Sequence, residues 1–177
     1  GALIEYQYLV KKIVFQINIL PVVKVLSALY VHLFFVVFTL FLYMCYGYMP
    51  DLYTFQLVYY TLSAFIMVLG LCYITSAIVG FFKDLTQIIS IILQVGVWMT
   101  PIMWHTDGME IPQWLKYIFE MNPMYYIVTG YRDSLINKVW FWQRTGLTIY
   151  FWIFTLFILG LGMVIFKKLK VHFADVL

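Results

Sequence analysis

The chain has 177 residues, of which 64% are hydrophobic, 21% aromatic and only 11% charged. Average soluble domains carry about 25% charged residues, so this composition excludes an ordinary water-soluble domain. The formal net charge of +3 is too small, and the basic residues are too scattered, to predict a nucleic-acid partner. The two cysteines, Cys45 and Cys72, lie inside apolar stretches, which favours packing over a disulfide framework or a metal site.

Long uncharged stretches predict helices that cross a membrane. About 20 helical residues cover the roughly 30 Å hydrocarbon core of a bilayer. Lys83 and Asp84 interrupt the apolar pattern, and charges at mid-bilayer cost about 2.5–3.5 kcal/mol each, so a cytoplasmic turn is expected there. The sequence therefore predicts an all-α integral membrane fold, with residues 1–177 as one transmembrane domain. The four spans are expected at about 25–47, 57–82, 86–104 and 146–166.

The distribution of positive charge predicts the orientation in the membrane. With four spans, both ends of this chain reach the same side. By the positive-inside rule, that side is cytoplasmic in a multi-pass protein of the plasma membrane. It collects seven of the eleven basic residues, namely Lys11, Lys12, Lys24, Lys83, Lys167, Lys168 and Lys170.

Two segments outside the spans are predicted to lie along the membrane. Residues 5–14 mix apolar and charged positions in an amphipathic pattern on the cytoplasmic side. On the outer side, residues 111–119 have a proline suited to a first helical turn and predict a short interfacial helix. Asn122-Pro123 should end that helix, and residues 124–136 are too short and too charged for a span. A re-entrant helical hairpin that dips into the outer leaflet is expected.

No pattern of catalytic or metal-binding residues stands out. The three histidines have no HxxxH or HExxH spacing, and no GxxxxGK[ST] phosphate loop occurs. The sequence therefore predicts a chain that is not itself an enzyme and holds no cofactor. Many aromatic residues concentrate toward the inferred outer surface, and two interpretations stay open for them: an interfacial belt, or the lining of a passage on which sugar rings could stack.

Several short motifs, in this order, resemble the permease subunits of type-two ABC exporters. The sequence LVKKIVF at 9–15 resembles the segment that meets the ATPase in that family, and FFKDL at 81–85 resembles its aromatic-Arg-Asp turn. TPI at 100–102 resembles a Thr-Pro element, and NP at 122–123 with YRD at 131–133 resembles an outer hairpin. Among these permeases, the motifs are most similar to wall teichoic acid exporters, with O-antigen and capsular polysaccharide exporters close behind.

The resemblance implies a function and a set of partners. Two copies of the complete permease would pair with two ABC ATPase subunits, which bind ATP and Mg²⁺, and would move a polyprenyl-diphosphate-linked teichoic acid or related polysaccharide across the bacterial plasma membrane. The four spans would then be the last four of six, in the C-terminal two thirds of the subunit. Alternatives are an exporter of drugs or other lipids, and a membrane-embedded transferase or structural subunit.

The resemblance also implies roles for particular residues. Arg132, with Asp133 beside it, is expected either to stabilise the hairpin as an ion pair or to receive phosphate. The residues expected to meet the ATPase are Leu9, Lys11, Lys12 and Phe15, and those expected on the translocation path or at its exit are Trp98, Trp104, Tyr125, Tyr126 and Arg132. Neither catalytic nor metal-binding residues are expected.

Overall fold

A computed structural model describes residues 19–82, 84–100, 102 and 112–170. Their regular secondary structure is helical, which confirms the all-α prediction for this part of the chain. Two 3-10 turns, Leu52–Phe55 and Phe141–Arg144, precede α2 and α6, and a π-helical turn, Asp133–Asn137, follows α5. The helices are α1 (Ile19–Cys45), α2 (Gln56–Val79), α3 (Leu85–Met99), α4 (Gln113–Met121), α5 (Pro123–Arg132) and α6 (Thr145–Leu169).

Three helical segments are long and apolar enough to cross a membrane, and they coincide with the first, second and fourth predicted spans. They cover Ile19–Cys45, Leu52–Val79 and Phe141–Leu169. The first begins before the predicted boundary at 25, so that Pro21 lies inside α1 rather than ahead of it. Most large apolar side chains of α1 are exposed, as expected for a helix that meets lipid.

The third predicted span differs from the structure. Helix α3 has 15 residues and ends at Met99, before the predicted boundary at 104. It ends there because Thr100 precedes Pro101, and the residue before a proline is sterically disfavoured in the α conformation. The Thr100 hydroxyl donates a hydrogen bond of 2.8 Å to the Gly96 carbonyl, which satisfies an acceptor in the last turn. Three of the four predicted spans therefore have the required length, and the remaining one stays a prediction.

The connection after α1 begins at a glycine in a left-handed conformation. Gly47 has φ +86°, a left-handed conformation that glycine adopts without a steric penalty. Its N–H donates to the Met44 carbonyl at 2.9 Å, and the Tyr48 N–H donates to the Tyr43 carbonyl at 3.2 Å. These bonds close the end of α1.

The described residues form two compact units. The first takes its described residues from Gly1–Pro50, Phe65–Thr86 and Thr155–Leu177. In this unit, α2 and α6 approach closely at two glycines. A Cβ atom on Gly162 would lie 2.7 Å from the backbone oxygen of Gly70, and one on Gly70 would lie 3.0 Å from the backbone of Leu159. Small residues permit such backbone contact between membrane helices.

The second unit comprises Asp51–Ala64 and Gln87–Phe154. Within it, α4 ends at Met121 and α5 begins at Pro123, so the predicted helix break is confirmed. The Asn122 side chain accepts a hydrogen bond of 3.0 Å from the Met124 N–H and caps α5, while Pro123 occupies the first helical position. How deeply this pair of helices enters a membrane stays a prediction.

Gly162→Ala should destabilise the protein, since the new methyl group would collide with backbone that cannot move aside as a side chain can. Overpacking of this kind costs about 1–3 kcal/mol of unfolding free energy. Gly160→Ala, on the same helix and with nothing within 4 Å of its Cβ position, is the matched control and should be neutral or stabilising. Thermal melting of the purified protein in detergent would measure both, and equal midpoints would contradict the close approach.

Candidate functional site

An ion pair between the buried Asp133 and the half-buried Arg144 joins the end of α5 to the start of α6. Asp133 is 1% exposed, and its carboxylate accepts hydrogen bonds from Arg144 Nε at 2.5 Å and Arg144 Nη2 at 3.1 Å. Asn137 Nδ2 donates to the same carboxylate at 2.8 Å. Asp133 and Asn137 both lie in the π-helical turn, which brings the Asn137 amide to the Asp133 carboxylate. Because both carboxylate oxygens have donors, the buried negative charge is paired and hydrogen-bonded, as burial requires.

Tyr60 of α2 packs directly on the backbone of α5. A Cβ atom on Gly130 would lie 2.1 Å from the Tyr60 ring, so only glycine leaves room for it. Tyr60 is 1% exposed. One turn further on, the Ser134 hydroxyl donates to the Gly130 carbonyl at 2.7 Å, and the hydroxyls of Thr61 and Tyr131 lie 2.6 Å apart. Helix α5 is thus fixed to α2 by both shape and hydrogen bonds.

Four polar side chains form a hydrogen-bonded chain between aromatic rings. The Trp152 indole donates to the Tyr59 hydroxyl at 2.7 Å, which lies 3.1 Å from the Tyr126 hydroxyl. That hydroxyl lies 3.1 Å from the Thr148 hydroxyl in turn. These bonds satisfy polar groups that an apolar environment would otherwise penalise.

Two residues near the start of α2 hold the loop between the π-helical turn and α6. The buried Gln56 amide donates to the Val139 carbonyl at 3.0 Å and accepts from the Phe141 N–H at 2.8 Å. Lys138 adopts a left-handed conformation, with φ 58°, and its ammonium lies 2.7 Å from the Asp51 carboxylate. One buried amide and one exposed ion pair therefore set the path of this loop.

Aromatic rings stack beside that loop. The Tyr53 and Trp140 ring centres are 4.9 Å apart, and the Trp140 and Trp142 rings stack nearly parallel at 4.4 Å. Trp142 is 53% exposed. Tyr53 lies just ahead of α2, and Trp140 and Trp142 lie just ahead of α6. Exposed rings at such helix ends suit the interfacial-belt interpretation.

The structure brings together three motifs that the sequence analysis singled out. Asn122 Nδ2 of the NP motif donates to the Thr100 hydroxyl of TPI at 2.9 Å. Arg132 Nη2 of the YRD motif donates to the Ile102 carbonyl of TPI at 2.8 Å. The segment after α3 is thereby attached to both ends of α5.

The predicted path residues have different environments. Trp98 is 78% exposed at the end of α3, whereas Tyr125 and Tyr126 are buried, at 6% and 3%. Arg132 is half-buried, and Asp84 is exposed in the turn before α3. Six predicted residues lie outside the described part of the chain: Leu9, Lys11, Lys12, Phe15, Lys83 and Trp104.

Sequence reasoning paired Asp133 with its neighbour Arg132, whereas the structure gives it Arg144 as a partner. It also missed Gln56 and Gly130. A lone amide at the start of an apolar span is the signal that could have identified Gln56, because a polar side chain there needs partners. Among the described residues, no group of three His, Cys, Asp or Glu side chains could hold a metal ion.

Asp133→Asn should destabilise the second unit, because the variant loses the negative charge that faces Arg144. The Arg144 side chain is 37% exposed, so its unpaired charge keeps some hydration, and we expect a loss of about 1–3 kcal/mol of unfolding free energy. Asp84→Asn, at an exposed position, is the control and should melt like the wild type. Denaturant titration of the purified protein checks this, and an unchanged midpoint for Asp133→Asn would argue against a structural ion pair.

The Asp51–Lys138 pair should give a pH-dependent contribution to stability. The hydrogen bond from Lys138 lowers the pKa of Asp51 below its ordinary value. The contribution is therefore fully present above about pH 4 and is lost as the pH falls through the lowered folded-state pKa. The melting difference between wild type and Asp51→Asn should be constant from about pH 6 to 8 and shrink toward pH 3. In a Lys138→Met background the pH-dependent part of the difference should become smaller, because only the hydrogen bonds from Thr54 then lower the pKa of Asp51. An undiminished pH dependence in that background would refute the pairing.

Comparison with known proteins places this arrangement in a family. The family model described as ABC-2 type transporter matches residues 3–136, which include the three joined motifs. Two proteins, each described as O-antigen export system permease protein RfbA from Klebsiella pneumoniae, are 28% identical over 171 residues and 31% identical over 112 residues. The alignments cover 96% and 63% of this chain, which spans only 64% and 41% of those relatives. Since the family match extends over most of its residues, the chain belongs to the ABC-2 type transporter family.

Proposed function

We propose that this chain belongs to the permease subunit of an ATP-driven exporter that moves a lipid-linked polysaccharide across the bacterial plasma membrane. The observation that carries the proposal is the similarity, over 171 residues, to a protein described as an O-antigen export permease. The polymer would be linked to polyprenyl diphosphate and would be a teichoic acid or a related polysaccharide. Membrane lipids would surround the long apolar helices, with both ends of this chain on the cytoplasmic side.

The charges of the second unit support this choice of cargo. Two of its positive side chains form ion pairs, Lys138 with Asp51 and Arg144 with Asp133. A positive group that already has a partner attracts an anionic polymer less than an unpaired one would, since its field is largely neutralised nearby. A long polymer has to leave as readily as it enters, so paired charges favour movement over tight binding.

The residues at the proposed exit would have two kinds of role. Trp98, which is largely exposed, and Trp104 would offer ring faces to sugar rings. Arg132 would hold the TPI segment that lies between these two tryptophans in the sequence. Tyr125 and Tyr126 are buried within the chain and would shape the exit by positioning α5 rather than by touching the polymer.

Transport energy would come from partner subunits. A separate ABC ATPase would bind ATP and Mg²⁺, and two copies of the complete permease would assemble with two ATPases. Leu9, Lys11, Lys12 and Phe15 would form the surface that meets the ATPase, and the turn at Lys83 and Asp84 would lie on the same side of the membrane. Closure of the ATPases would push on the surface formed by residues 9–15 and would reorient the membrane-spanning helices.

Reconstitution of the complete permease with its ATPase would test the proposal. Lipid-linked polysaccharide should stimulate ATP hydrolysis and move across the vesicle membrane. Phe15→Ala should reduce transport about tenfold while leaving membrane insertion intact, a loss equivalent to about 1.4 kcal/mol in coupling. Phe157→Ala, at a 63% exposed position of α6, is the matched control and should transport normally.

Three outcomes would count against the proposal. Stimulation by drugs or simple lipids, with none by the polysaccharide, would indicate a different exporter. Failure of the permease to associate with any ATPase would indicate a transferase or a structural subunit. Normal transport by Phe15→Ala, with normal ATPase binding, would remove the assigned role of the coupling segment.

A further inference from the structure

Two short segments of the second unit, one ahead of α2 and one ahead of α6, are joined side by side. The Lys138 ammonium lies 2.7 Å from the Asp51 carboxylate. Two residues further along each segment, the ring centres of Tyr53 and Trp140 are 4.9 Å apart. Since two residues of fully extended chain cover only about 7 Å, the ion pair and the rings lie beside each other.

Three aromatic rings in these segments form what we call the ring stack: Tyr53, Trp140 and Trp142. Trp140 contacts both other rings, and its plane lies at only 8° to that of Trp142, with 4.4 Å between the ring centres. Trp140 thus covers one face of the Trp142 ring, yet Trp142 remains 53% exposed. The ring stack therefore presents a flat apolar surface to its surroundings.

Donors and acceptors of hydrogen bonds lie beside the ring stack. The Asp51 and Lys138 side chains are 42% and 33% exposed, so the carboxylate can accept further bonds and the ammonium can donate them. The Gln143 side chain is exposed as well, and its oxygen accepts a bond of 3.3 Å from the Trp140 N–H, while its NH2 group carries two more donors. Because Asp51 and Lys138 neutralise each other, these polar groups add little net charge.

The geometry points to a carbohydrate-binding site formed by the ring stack, the Asp51–Lys138 pair and Gln143, with uncharged sugar units of a polysaccharide as its ligand. A sugar has an apolar C–H face that packs on an aromatic ring, and its hydroxyl groups both donate and accept hydrogen bonds. This inference rests on the proposed function, which it deepens by giving the emerging polymer a site next to the starts of α2 and α6.

The site is held in place before any ligand binds. Gln56 bonds the backbone on either side of Trp140, at the Val139 carbonyl and the Phe141 N–H, with distances of 3.0 and 2.8 Å. The Phe141 ring in turn stacks on Tyr59 of α2, with 4.4 Å between the ring centres. Aromatic side chains have few rotatable bonds, and rings that are already fixed lose little further entropy on binding. The ring stack can therefore bind a flexible polymer without first having to become ordered.

Lipid headgroups are the other class of ligand for exposed rings at a helix end. The belt interpretation accounts for the exposure of Trp142 but not for the exposed Asp51 beside it, since a carboxylate repels the phosphate groups of lipids. The same repulsion disfavours the phosphate-rich chain of a teichoic acid. Lys138 does not reverse this preference, because its charge faces Asp51. The site therefore favours uncharged sugars over both kinds of phosphate.

Titration calorimetry of the complete exporter in nanodiscs would test the site, with polysaccharide released from its lipid by mild acid as the probe. Trp142→Leu should weaken binding about tenfold because the exposed ring face is lost, and Trp142→Phe, which keeps a smaller ring, should weaken it less. Trp114→Leu, at a 64% exposed position of α4 outside the ring stack, is the matched control and should bind normally. Unchanged binding by Trp142→Leu, or equal losses in the two leucine variants as an interfacial belt would give, would overturn the inference.

A comparison of two polymers would test the contribution of the ion pair. The wild type should bind an uncharged polysaccharide more tightly than a glycerol phosphate teichoic acid, both freed of their lipids. In Asp51→Asn the charge of Lys138 is no longer neutralised by Asp51, so teichoic acid should bind about threefold more tightly at low salt, with a smaller gain at high salt. Tighter binding of teichoic acid than of polysaccharide by the wild type would contradict the assigned ligand.

The function and the site can fail separately in these experiments. If the reconstituted wild-type complex exports neither polymer, the proposed function is wrong whatever the binding results. If it exports polysaccharide and Trp142→Leu binds that polymer as tightly as the wild type does, the function stands and the carbohydrate-binding site is wrong.

Discussion

The absence of water inside a bilayer is the constraint on which this structure depends, because every buried polar group must then find its partner within the protein. Asp133 is the most demanding case. Its carboxylate is almost fully buried in an apolar chain, and it receives donors from Arg144 and Asn137 on its two oxygens. A buried charge with one partner removed is strongly unfavourable, so these three residues constrain one another. The turn after α5 and the beginning of α6 are therefore held together.

The contacts around that ion pair extend the constraint to the rest of the second unit. Gln56 holds the loop between the π-helical turn and α6, and Gly130 admits the Tyr60 ring against α5. Asn122 and Arg132 attach the segment after α3 to the same helix. Because α5 takes part in all of these contacts except those of Gln56, a displacement of the C-terminal end of α3 would act on α5 directly.

Local patterns in the sequence were sufficient for much of the fold. Three of the four predicted spans match helices of adequate length, and the break at Asn122-Pro123 lies where it was expected, because hydropathy and proline act over short distances. Helix α3 ends at Met99, an end that Pro101 indicates in the sequence, and the extent of the third span stays a prediction. The partner of Asp133 and the contact between Gly130 and Tyr60 could not be predicted in this way. They depend on which helices become neighbours, and hydropathy contains no information about that.

The early end of α3 has a consequence for the membrane itself. Fifteen residues span about 22 Å, less than the roughly 30 Å thickness of a hydrocarbon core. If α3 alone crosses the bilayer, the lipid beside it thins toward its ends, since mismatch between a helix and its bilayer carries an energetic cost. A thinned patch shortens the distance that a polar headgroup travels through hydrocarbon. In the proposed exporter of a lipid-linked polymer, the early end of α3 would thus lower the barrier to transfer by thinning the surrounding lipid.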